Sequence, residues 1–185
     1  MSATRRTLLA DTAIDVLADH GMRGLTHRAV DRAASLPPGT TSAYYRTRQA
    51  LLAALVQRLV ERDQRELREE GERTPVPASA DELAAGLADF IARRLTGGGR
   101  RRSLARYACA LESVHHPELR EILVPRENAA RGVVREFLAA RGLSDAGERT
   151  VTLLTCVDGL VFDRLVNGGA VSAEEVGQLV AAAMR

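Results

Sequence analysis

Lysine and tryptophan are absent from this chain, and only six of its 185 residues are aromatic, three Tyr and three Phe. With so few rings, a core has to be built from Leu, Val, Ile and Ala, a set that favours helices. The two cysteines, Cys109 and Cys156, lack CxxC spacing and a neighbouring His cluster, which excludes a disulfide framework and a zinc ribbon. Both read as small buried hydrophobes in a reducing compartment. The most apolar stretch, residues 151–166, is too short for a membrane span and carries Asp158, Asp163 and Arg164. Arg5-Arg6 precedes an apolar segment as in an export signal, but Asp11, Asp15 and Asp19 interrupt it, so a cytoplasmic protein with no membrane partner is expected.

Catalytic signatures are missing as well. The tract Gly97 to Arg102, "GGGRRR", has no preceding strand and no Lys-Ser/Thr, so it reads as a solvated loop rather than a phosphate cradle. His115 and His116 could join Glu112 at a metal, but no second ligand pair follows at suitable spacing. No enzyme, cofactor or metal is expected.

What is present is helical periodicity. Leu9, Ala13, Val16 and Leu17 recur on one face of residues 5–20, with Asp11, Asp15 and Asp19 opposite, and Gly21 stops that helix. Thr26 reads as the N-cap of a short second helix. Pro38 suits the first position of a third. After Thr47, another N-cap, Leu51, Leu52, Leu55, Val56, Leu59 and Val60 share one face of a long helix reaching about residue 70. "GERTPVPAS", residues 71–79, is the one clear linker, and Ser79 with Glu82 opens a helix over 80–96. Further helices are predicted over about 103–115, 117–141 and 148–166, and from a cap at Ser172. Nine helices and no convincing strand make an all-α protein. The helix over 148–166 is apolar almost all round, as a helix covered on one side by its own domain and on the other by a partner subunit would be.

The charge is unevenly divided. Residues 1–48 carry seven Arg against four Asp, whereas 49–185 carry nineteen Arg against twenty acids, so the positive excess sits where a polyanion would be met. Helices two and three form a helix-turn-helix, whose second member enters the major groove of DNA. "LPPGTTSAYYRTR", residues 36–48, is suited to that groove because it has no acid, Gly39 permits close approach, and Thr40, Thr41 and Ser42 are short donors. Tyr45 is assigned inward as an anchor and Tyr44 outward. Pro38, Gly39, Thr40, Thr41, Ser42 and Tyr44 are the candidate groove residues. Arg46 and Arg48 are candidate phosphate contacts, with His27 and Arg28 in the first turn of helix two; Arg5 and Arg6 read equally as phosphate contacts or as a solvated helix end.

On these residues the first 55 or so positions resemble the DNA-binding region of TetR-type transcriptional regulators. The family pattern Ala-Gly-Val-Ser-x-Gly-Thr-x-Tyr-x-His-Phe-x-x-Lys-x-x-Leu aligns without gaps on "ASLPPGTTSAYYRTRQAL", with Ala34, Gly39, Thr40 and Leu51 matching, Leu36 for Val, Tyr45 for Phe and Arg48 for Lys. Ser42 replaces a phosphate-contacting Tyr, Tyr44 a common His, and Pro37 the usual Ser cap. The resemblance implies a DNA-binding domain over 1–48 and an effector-binding and dimerisation domain over 49–185, with helix 49–70 connecting them. It implies a homodimer paired through its last two helices on a palindromic double-stranded operator, released by a small-molecule effector. Phe90, Arg106, Tyr107, Glu112 and Asp158, on the middle helices, are the candidate effector-binding residues. A helical protein-interaction module with a basic N-terminal face is the rival reading, and a small all-α enzyme the next.

Overall fold

A computed structural model describes residues 2–73, 76–123 and 129–185. Ten helices and no strand are found among them: α1 Ser2–Gly24, α2 His27–Ala33, α3 Thr40–Tyr44, α4 Arg48–Arg73, α5 Ala80–Leu95, α6 Gly97–Glu112, α7 Pro117–Leu123, α8 Ala129–Ala139, α9 Ala146–Asn167 and α10 Ala173–Ala183. They form two compact units, Met1–Asp63 with Arg101–Pro125, and Gln64–Arg100 with Arg126–Arg185. Most of the apolar face of α4 and the C-terminal part of α6 belong to the first unit, beside the three N-terminal helices.

In the first unit, one continuous core joins Leu9, Ile14 and Leu17 of α1, Val30 of α2, Leu51, Leu55 and Leu59 of α4, Ala105 and Cys109 of α6, and Leu119 and Leu123 of α7. Each such Leu or Ile, fully buried, contributes about 1.5–3 kcal/mol. The Asp stripe of α1 is paired with arginines of other helices, although Asp15 and Asp19 stay exposed. Arg58 of α4 grips Asp11 through two bonds of 2.9 and 3.0 Å, Arg62 adds a third at 3.2 Å, and Arg101 of α6 reaches Asp15 at 3.3 Å and Asp19 at 2.8 Å. Gly21 breaks the helical path inside α1 at φ 67°. In the second unit, α5 packs on α9 and α10, and α8 on α9. Leu83, Leu87, Ile91, Val134, Phe137, Leu153, Val157, Val161, Val176 and Val180 are buried there.

Three sequence expectations are corrected. The "GGGRRR" tract is the start of α6: a Cβ on Gly99 would lie 1.9 Å from the Arg93 carbonyl oxygen, so the glycine permits a tight α5–α6 corner instead of marking a loop. The helix predicted over 117–141 is seen as two elements, α7 and α8, and residues 124–128 lie outside those described. Cys156 is exposed, because it lies off the face of α9 that carries the buried Leu153, Val157 and Val161. Cys109 is buried as expected, and burial pushes its thiol up to about 12, with Glu112 adding and Arg106 opposing.

The remaining helix starts follow local chemistry. Thr26 Oγ1 accepts from the Ala29 amide at 3.1 Å, Thr47 Oγ1 from Ala50 at 3.0 Å, Ser79 Oγ from Glu82 at 3.1 Å and Ser172 Oγ from Glu175 at 3.0 Å. No helix among the described residues is long and apolar enough to cross a membrane.

Candidate nucleic-acid interface

Helix α3 spans only five residues and cannot sustain itself, since so short a helix makes too few of its own bonds. It begins on a turn. The Thr40 amide donates to the Pro37 carbonyl at 3.2 Å across Pro38 and Gly39, and Gly39 takes φ 91°, ψ −7°, the left-handed third position of a type II turn. Pro38 is therefore a turn residue and not the first residue of the helix. Gly39 as N-cap has no side chain to offer the first amides, and the cap comes from another helix. Asp31 of α2, 3% exposed, accepts from the Gly39 amide at 2.8 Å through Oδ2, and from the Thr41 amide at 2.7 Å and hydroxyl at 2.5 Å through Oδ1. Burial, the largest single influence, pushes this carboxyl up. The Thr41 hydroxyl, the two amides and nearby His27 together outweigh it and hold the carboxyl below its ordinary value.

The other end of α3 is tied to α1 and α2. Tyr45, 8% exposed, donates its hydroxyl to the Arg6 carbonyl at 3.1 Å, and its own carbonyl accepts from Nε2 of His27 at 2.7 Å. Arg6 donates to the Tyr44 carbonyl at 3.4 Å, and its guanidinium lies 5.6 Å from the Tyr44 ring centre and 5.7 Å from that of Tyr45. Burial pushes the Tyr45 phenol up, with Arg6 opposing. Arg48 donates to the Met22 carbonyl at 2.5 Å, bracing the turn that leads into α2.

The sequence-predicted residues thus fall into distinct places. Pro38, Gly39, Ser42, Arg28, Arg46 and Arg48 are exposed; Thr40 and Tyr44 are half-buried. The Thr40 hydroxyl donates to Pro37 O at 2.7 Å and that of Ser42 to Gly39 O at 3.0 Å, which leaves oxygen lone pairs outward. Thr41 is a correction: it is 0% exposed and its hydroxyl is held by Asp31, so it supports α3 from behind and reaches no base. His27 is half-buried and engaged by Tyr45. Arg28 and Arg46 make no hydrogen bond or ion pair among the described residues. Ser35, at the position where the family pattern has Gly, takes the left-handed φ of 54° that glycine adopts more easily.

Sequence reasoning missed Asp31, which it counted only as charge, and the stacking of Arg6 on both tyrosines. An acid one turn into a short helix, ahead of a Pro-Pro-Gly that cannot cap itself, was the available signal for the first.

The candidate effector residues are divided between the units. Arg106, Tyr107 and Glu112 lie on the part of α6 in the first, Phe90 and Asp158 in the second. Arg106 is engaged by the buried Asp63, through its Nε at 3.0 Å and again through Nη2, and by the Leu123 carbonyl at 3.3 Å. Glu112 stands 3.7 Å from His116, Phe90 lies under the Arg94 guanidinium at 5.0 Å, and Asp158 is exposed.

A short helix held at both ends by its neighbours, with acid-free exposed groups between, is the arrangement of a helix-turn-helix. Residues 78–185 match the family model for the tetracyclin repressor-like C-terminal domain. The chain belongs to the TetR family of transcriptional regulators, DNA-binding proteins that are not enzymes. It is similar to a TetR family member from Streptomyces coelicolor A3, with 25% identity, 98% of each chain covered and a TM-score of 0.72. A TetR-family regulator from Rhodococcus sp. shares 26% identity over 98% of this chain and 97% of that one, with a TM-score of 0.69. The multidrug binding protein EbrR, solved with ethidium, shares 25% identity over 98% of this chain and 99% of its own, with a TM-score of 0.71. No curated protein matches the chain.

Proposed function

We propose that this protein is a homodimeric transcriptional repressor that binds a palindromic operator and is released by a small-molecule effector. The observation that carries the reading is the two-ended clamp on α3, which turns Pro38, Gly39, Ser42 and Arg46 outward on a rigid base. Thr40, Ser42 and Tyr44 read base edges, and Arg28, Arg46 and Arg48 meet phosphates. Residues 1–48 supply this surface, and 49–185 the effector site and dimer contact. Two-fold symmetry sets half-site centres about 34–36 Å apart, or a multiple of that.

Pairing through the last two helices is supported by α9, whose Phe162 and Val166 are 49% and 65% exposed beside an otherwise well-buried opposite face. A small-molecule effector is supported by the EbrR complexes with ethidium and proflavin. Release acts through α4, which follows the recognition helix and continues as one helix from the first unit into the second. An effector that binds better to the conformer with mismatched recognition helices shifts the population off DNA.

The test is a gel shift with duplexes flanking the protein's own gene at several salt concentrations, followed by titration with ethidium and proflavin. A sequence-specific shift reversed by ligand is expected. Equal affinity for every duplex would end the repressor reading, and tight ligand binding without release would end the switch.

A further inference from the structure

We infer that Asp31 is the positioning residue of the recognition helix, setting the attitude of Thr40 and Ser42 toward DNA without touching DNA itself. The inference rests on the DNA-binding reading above. Few groups near the start of α3 can accept from its first amides: Gly39 has no side chain, and the Pro37 carbonyl is already taken by the Thr40 amide; Pro37 and Pro38 have no amide of their own to satisfy. Among the described residues Asp31 is the acceptor of Gly39 N–H and Thr41 N–H, and its third bond to the buried Thr41 hydroxyl fixes rotation about the helix axis. A self-capped helix keeps its start when it moves as a body. This one keeps its start only while α2 and α3 hold their present relation.

Charge decides what Asp31 does not do. An exposed carboxylate on this surface would repel phosphates, but Asp31 is enclosed and its two oxygens are turned to three donors of the chain itself. Losing it removes no contact with a duplex; it frees the start of α3. Phosphate binding through Arg28 and Arg46 stays, and discrimination between base sequences is what falls.

The experiment uses full-length protein and the variants Asp31→Ala, Asp31→Asn and Thr41→Val. Affinity is read by anisotropy on the duplex flanking its gene and on a scrambled duplex of equal composition, and hydrogen–deuterium exchange is followed over residues 36–45. Asp31→Ala is expected to weaken the flanking duplex roughly tenfold to a hundredfold, with the scrambled one within about twofold. Exchange over 39–45 accelerates while α9 and α10 stay protected. Asp31→Asn restores part of the loss, since its amide oxygen still accepts from Thr41, and Thr41→Val, which removes one bond only and keeps the fold, shows the same pattern more weakly. Equal loss on both duplexes, or unchanged exchange over 39–45 in a folded Asp31→Ala protein, overturns the inference. If the wild type does not tell the two duplexes apart, the repressor reading falls, and the exchange result alone decides for or against Asp31.

Discussion

The Tyr45 hydroxyl donates to the Arg6 carbonyl at 3.1 Å while the Arg6 guanidinium lies 5.7 Å from the Tyr45 ring centre, so each residue holds the other by a different group. The pair joins α1 to the residue that ends the recognition helix. Tyr45→Phe keeps the ring and loses the donor, and is expected to lower stability by about 1 kcal/mol. Tyr45→Ala also empties the site and should cost about 3–5 kcal/mol. Denaturant unfolding measures both; a Phe variant with wild-type stability would show the hydroxyl to be idle.

Acid should loosen the α2–α3 clamp. Asp31 is held below its ordinary value, so the unfolded chain binds its proton more readily than the folded one does. Its contribution is fully present above the unfolded value of about 4 and is lost as pH falls through the lower folded value. Unfolding free energy followed from pH 6 down to about pH 3 is expected to fall less steeply for Asp31→Asn than for the wild type. Parallel curves would contradict this.

Two arginines of similar exposure should behave differently. Arg46 is unengaged among the described residues, whereas Arg48 donates to Met22 O. Arg46→Ala is expected to lower the salt slope of DNA binding by about one with unchanged thermal stability, and Arg48→Ala to lower both. Salt titration with parallel melting curves separates them.

The outer face of α9 supplies a direct check on pairing. Phe162→Arg puts a charge where half of an aromatic side chain is exposed, and a dimer closed there should dissociate to monomer in sedimentation velocity without loss of helix content. A variant that remains dimeric places the contact elsewhere.

The α5–α6 corner depends on the missing side chain of Gly99. Gly99→Ala forces a methyl against the Arg93 carbonyl, and a loss of about 1–3 kcal/mol is expected in thermal or denaturant unfolding. Gly86 on α5, whose added Cβ would meet nothing within 4 Å, is the control that should not lose stability as an Ala variant.

Much of this molecule is legible residue by residue. Thr26, Thr47, Ser79 and Ser172 cap helices three residues ahead of the amides they accept, and the Leu and Val face of α4 repeats with the helical period. The multi-position pattern from Ala34 to Leu51 located the recognition helix, since backbone geometry at Gly39 and the anchor at Tyr45 restrict what can stand there. The five candidate effector residues were chosen only for their place on the middle helices, because a binding site gathers side chains from several helices and no local period marks them; Arg106 among them is engaged by the buried Asp63.

The amino-acid order by itself determined most of the helical segments, the capped starts at Thr26, Thr47, Ser79 and Ser172, and which end of the chain is positive, because capping, periodicity and composition act within a few residues. Tertiary structure alone decided that Asp31 caps a helix ten residues on, that Tyr45 is tied to Arg6 across 39 positions, and that the Asp15–Asp19 edge meets Arg101 across more than 80. Such partners are chosen by how helices pack, and no local period in a single chain encodes which charged side chain will be opposite.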